Sequence, residues 1–165
     1  MKNESQTIAY ILDDTRKLTW SIYNQLNDQA DVHKRFLVDG TEFNSAFWIM
    51  AHLAVTENYL VLRSTGGEAV RFSWAKLFGM GVQPPKPDEC PPFDEVKQVL
   101  NEVHEKSLEH IRSFSDVALD EPNKTGFVFL NEGTNRSALI HAIRHENMHS
   151  GHLSWLCKLS GLKTI

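Results

Sequence analysis

The chain has 165 residues, of which 41% are apolar and 23% charged. That is a folded, globular composition, and a chain of this length is expected to bury its own core as one domain over residues 1–165. Seventeen basic against twenty-one acidic residues leave a net charge of −4, which gives no electrostatic basis for nucleic acid or an anionic membrane as partner.

The first element is an amphipathic helix in which Ile8, Ile11, Thr15, Leu18, Ile22 and Leu26 recur at three- and four-residue steps. Its leading residues, Met1–Gln6, lack the apolar stretch of a secretory signal, and no run is long enough to span a membrane. The two cysteines, Cys90 and Cys157, are therefore expected as free thiols in a reducing cytoplasm. The second helix, over residues 44–63, is apolar on nearly every side. It is expected to be buried or to lie at a subunit contact, and a homodimer is expected on that ground. A long connection rich in glycine and proline follows from Gly66 to Pro92, with one short helix around Phe72–Phe78.

The third helix carries Phe93, Val96, Leu100, Val103, Ser107, Ile111 and Phe114 on one face. Asp94 and Glu95 stand at its start and Arg112 near its end, as the helix dipole favours. A short apolar run, Phe127–Leu130, is either a strand or a loop packed on the core. The fourth helix starts from a cap at Thr134 or Asn135 and stops at Gly161. Four long helices, each with a stripe to bury, make an all-α four-helix bundle with a long connection between helices 2 and 3.

Histidine is in excess. There are eight, and His141, His145, His149 and His152 fall within twelve residues, where an even spread would place roughly half of one. At about 100° per residue, His145, Ala138, Ala142, Leu153 and Leu156 all point within about 40° of His149. Two imidazoles therefore lie side by side on the core-facing stripe. Each needs a partner there, either a shared divalent metal or separate carbonyls and carboxylates. His52, among Trp48, Ile49, Val55 and Tyr59, is either a satisfied core residue or a third imidazole facing the pair across the bundle. Three protein ligands with an open fourth position describe a catalytic metal site. His141 and His152 flank the stripe, His110 is a reserve ligand on the third helix, and His33 and His104 are expected at the surface.

Residues 145–149 also spell H-E-x-x-H, the zinc pair and general base of a metalloprotease. The downstream ligand is missing, because the extended motif's positions hold His152 and Trp155 and residues 150–165 contain no acid. A di-iron carboxylate site fails as well, since only Glu146–His149 has the required Glu-x-x-His step.

Trp48-x3-His52-Leu53, the block HENMHSGHLSWLCKLSG at 145–161 and the SWAKLFGMG connection at 73–81 together resemble the DinB-like (DinB/YfiT-like) superfamily. The resemblance covers the whole chain. It implies a four-helix bundle, often dimeric, with three histidines on one divalent metal; nitrogen-only ligation itself leaves Zn, Ni, Fe or Cu open, with Zn, Ni or Fe the expected ions. Carried onto this sequence, the three histidines are His52, His145 and His149. Relatives include bacillithiol S-transferases and a mycothiol-dependent maleylpyruvate isomerase, so the resemblance implies joining a low-molecular-weight thiol to an electrophilic small molecule. The alternatives are a metal-dependent hydrolase, or a non-catalytic metal-binding protein of stress response or dimeric interaction. Glu146 is the candidate proton acceptor or a support behind the ligating histidines, unless it pairs with Arg144 or another surface cation. Gly151, costly in mid-helix, is expected to admit a neighbouring helix.

Overall fold

The computed structural model describes residues 3–129 and 131–164. Four long helices dominate it: α1 (Glu4–Gln29), α2 (Ala46–Glu57), α3 (Phe93–Arg112) and α5 (Asn135–Leu159), with a short α4 (Asp116–Asp120) before the last. Each long helix packs on two others, α1 on α5 and α3, and α2 on α3 and α5, so the four close into a ring. The all-α expectation holds. No helix among the described residues is long and apolar enough to cross a membrane.

The helix ends follow local chemistry. Asn3, Ser45 and Thr134 each accept a hydrogen bond from a backbone N–H three residues on, satisfying donors that the first turn leaves free. Gly161 has φ +78° just beyond α5, the left-handed stop that glycine makes without strain. The last six residues of the second helical segment, Asn58–Arg63, open into a π-helix. There Asn58 exchanges two 2.9 Å hydrogen bonds with the Val70 backbone and pins the start of the long connection.

That connection contains the expected short helix as a 3₁₀ turn, Ser73–Phe78. Trp74 and Phe78 are its buried anchors. A two-residue hairpin, β1 (Leu37–Val38) and β2 (Thr41–Glu42), joins α1 to α2 and leaves all four residues exposed. No strand forms at Phe127–Phe129 beyond an isolated bridge from Phe129 to Glu132, and Leu130 lies outside the described residues.

Two apolar clusters make the core. One gathers Tyr23, Phe47, Met50, Phe78, Leu100 and Leu153, and the other Leu12, Val61, Ile111, Leu119 and Leu139. Helix α2 gives nearly all its apolar residues to the first cluster, so the surface that suggested a subunit contact is consumed inside the chain. Gly151 departs from expectation. A Cβ there would meet nothing within 4 Å, so no helix of this chain approaches it. Gly67 is the glycine with a steric reason, because a Cβ would stand 2.9 Å from the His110 ring.

Candidate metal centre

Between the two apolar clusters every long helix carries buried polar residues: Arg16 and Thr19 on α1, Glu57 ending α2, His104 and Ser107 on α3, Glu146 and Ser150 on α5. The histidine group stands at this level, built from α2 and α5. His52, one turn past Trp48, stacks on that indole with ring centres 4.5 Å apart and planes 14° from parallel. His145 and His149, one turn apart on α5, place their rings 4.6 Å from each other, and 5.2 Å and 5.0 Å from His52.

One nitrogen from each ring falls within 4.8 Å of the other two, a group able to hold a metal ion. Hydrogen bonding settles the tautomer of the first. His52 Nδ1 lies 2.7 Å from the Phe78 carbonyl, which only accepts, so Nδ1 carries the proton and Nε2 keeps its lone pair. That Nε2 stands 3.3 Å from His145 Nε2. Two nitrogens on one tetrahedral ion, each at about 2.1 Å, would stand roughly 3.4 Å apart, so the observed edge fits. Burial is the main cause that lowers all three imidazoles. With the neighbouring rings it brings His145 to about 4 and His149 to about 2, while the Phe78 carbonyl partly opposes the shift at His52. At neutral pH the three rings are uncharged, the state in which imidazole offers a lone pair to a cation.

The family model of the DinB superfamily matches residues 11–153 and spans all three histidines. The chain belongs to the DinB superfamily. No curated protein matches it. Superfamily membership and the three-histidine group together point to a metal-binding enzyme.

The remaining histidines of this DinB-superfamily chain fall elsewhere. His152 is exposed, with its Nδ1 3.4 Å from His149 Nδ1. His141 stacks on Phe129 at 4.3 Å, its ring centre 6.2 Å from that of His145. His110 lies outside the group as no reserve ligand, because its Nε2 is hydrogen-bonded to Thr65 Oγ1 at 2.8 Å. His33 is half-buried against Phe47. His104 corrects the surface expectation more sharply. It is buried, with Nδ1 3.0 Å from Glu57 and Nε2 3.5 Å from Asp13.

Among the described residues, Glu146 pairs neither with Arg144 nor with any surface cation. Arg16 forks onto it, Nε to Oε1 at 2.6 Å and Nη2 to Oε2 at 2.9 Å, and Thr19 donates to Oε1 at 2.9 Å. The same Nη2 reaches Glu57 Oε2 at 2.6 Å. All three charged side chains are at most 5% exposed. Burial works against the Arg16 charge, but the two carboxylates outweigh it and hold the guanidinium protonated. Burial likewise raises Glu57, and Arg16 and His104 more than reverse it, leaving the carboxyl below its usual range. Sequence reasoning missed Arg16 and Glu57. The available signal was a charge set within an apolar stripe, since Glu57 is the only acid between residues 44 and 63.

Proposed function

We propose that the chain is a metal-dependent enzyme that joins a low-molecular-weight thiol of the bacillithiol kind to an electrophilic small molecule. His52, His145 and His149 hold its divalent ion. The observation that carries this reading is the convergence of three neutral imidazole nitrogens within 4.8 Å from two helices, in a chain of the DinB superfamily. Nitrogen-only ligation suits Zn, Ni or Fe. A divalent ion held by these three residues would supply positive charge that lowers the pKa of a thiol toward neutral pH.

The chain's own residues prepare that step. Phe78, fully buried, presents its carbonyl to His52 Nδ1 and holds the proton there. The Trp48 indole fixes the plane of the His52 ring. Both carboxylate oxygens of Glu146 are engaged by Arg16, so this reading gives Glu146 the work of orienting the α5 turn that carries His145. In the transfer the thiol sulfur bonds to the electrophilic carbon, the leaving group departs with its bonding pair, and the thiol proton passes to water. Free Cys90 and Cys157 accord with a reducing cytoplasm.

The test is metal analysis of the purified protein beside His149→Ala. The wild type should hold close to one ion per chain and the variant a small fraction of that; equal content would remove the site. A conjugation assay with a chromogenic aryl halide then reads the reaction class. Turnover should require both bacillithiol and bound metal, whereas thiol-independent loss of halide would assign hydrolysis instead.

A further inference from the structure

We propose that the cleft between the end of the second helical segment, the long connection and α3 is a second ligand site, which takes a monocarboxylate with an aromatic body. It stands apart from the three-imidazole group, none of whose members lines it, and it does not depend on reading that group as a metal centre.

The cleft holds about 860 Å³, within the roughly 300–1,000 Å³ usual for small-ligand pockets. Three ties keep the connection from collapsing into it. Asn58 holds the Val70 backbone through two 2.9 Å hydrogen bonds. Buried Trp74 donates to Glu95 on α3 at 2.9 Å. Gly67 lies so near His110 of α3 that a Cβ would meet its ring at 2.9 Å. A cleft held open in this way spares a ligand the cost of ordering its walls. Part of the wall is the π-helix Asn58–Arg63, a rare geometry frequent at functional sites.

The charges give the ligand's sign. Arg63, Arg71 and Lys106 line the cleft against Glu68 and Glu102. Lys106 and Glu102 satisfy each other at 3.4 Å, and Glu68 is shared with the adjoining cavity that Glu109 and His110 line. Arg63 and Arg71 have no acidic partner among the described residues. Arg63 instead lies over Tyr59, its guanidinium carbon 5.7 Å from the ring centre, and both residues line the cleft. Both arginines are exposed, so their donors are open to an incoming group. In a chain of net charge −4, a local excess of cations runs against the average. Three cations facing two acids leave one positive charge, which a single carboxylate cancels and a phosphate dianion would overshoot. A carboxylate also matches the planar guanidinium fork, which takes two oxygens at once. Half-buried Tyr59 and Phe72, with Val55 and Ala75, supply aromatic and aliphatic surface for a flat apolar body.

The experiment is calorimetric titration of the purified protein with naphthoate and with naphthamide, probes of one shape that differ in charge. Naphthoate should bind about tenfold more tightly, the worth of a charge-assisted hydrogen bond, and the difference should shrink as salt is raised. Arg63→Gln/Arg71→Gln should bring the two probes to equal affinity. Lys34→Gln/Lys158→Gln removes the same charge from exposed positions outside the cleft and should preserve the preference. Equal affinity in the wild type, binding of neither probe, a preference that survives the arginine variant, or one lost in the lysine variant would overturn the proposal. Equal wild-type affinities are decisive even if a variant misfolds. His149→Ala should bind naphthoate as the wild type does; loss of binding there would place the carboxylate at the imidazole group and overturn the cleft. Metal content of His149→Ala is scored separately, so failure of the cleft and failure of the metal centre remain distinct results.

Discussion

His52 can offer only one ring nitrogen to its neighbours, because Phe78 O takes the proton of the other at 2.7 Å. Two bare lone pairs 3.3 Å apart would repel, so the His52–His145 contact needs either a proton on His145 Nε2 or a cation between them. His149 is placed by a comparable but softer device, the Nδ1 of His152 at 3.4 Å. Outer partners of this type orient the ligating ring, and their loss typically costs tenfold to a hundredfold in metal affinity. His152→Ala should therefore raise the metal dissociation constant about tenfold, read by competition with a chromophoric chelator. His152 is exposed, so the metal-free protein should unfold at nearly the wild-type temperature. Unchanged affinity would show that His152 does not position His149.

Helices α2 and α5 supply the three histidines, and Arg16 of α1 ties those same two helices through Glu57 and Glu146, five residues past His52 and one past His145. A buried ion triad is a poor source of net stability, because desolvation offsets most of its attraction, but breaking it strands charge. Arg16→Met should cost about 3–5 kcal/mol in urea unfolding, while Glu146→Gln, which keeps shape and some hydrogen bonds, should cost clearly less. Equal costs would refute the clasp. Such a pairing was illegible in the sequence, since it closes loops of 41 and 130 residues and no local pattern names the partner. His104 was misread for the same reason: its immediate neighbours on α3 include Glu102 and Glu105, and only Glu57 and Asp13 from other helices explain its burial. What was legible was periodic. The 100° step of α5 brought His145 beside His149, and the Thr134 cap and Gly161 stop bounded the helix, while His52 stayed open between a core residue and a third imidazole until the family resemblance singled it out. The hairpin at Leu37–Glu42 left no such trace, because strands of two exposed residues carry no alternation.

Across the whole molecule the polar level between two apolar clusters sets how folding responds to pH. The ordinary imidazole pKa of about 6.5 applies to the unfolded chain, whereas burial lowers His52, brings His145 to about 4 and His149 to about 2 in the fold. Between those values and about 6.5 the unfolded chain binds protons that the folded chain refuses, so stability rises with pH through that window and is lost as pH falls through it. Each such histidine contributes a slope of up to about 1.4 kcal/mol per pH unit. Glu57, lowered by Arg16 and His104 against its burial, has the same sign but acts only below its ordinary value of 4.5. The two causes therefore separate along the pH axis. Metal-stripped protein unfolded by urea should lose stability steadily from pH 6.5 to 4.5, and His149→Ala should show a shallower slope over that interval. Loaded protein should fall more steeply, because the ion also competes with protons for the same nitrogens. Parallel slopes in wild type and His149→Ala would show that the buried imidazoles do not control the transition.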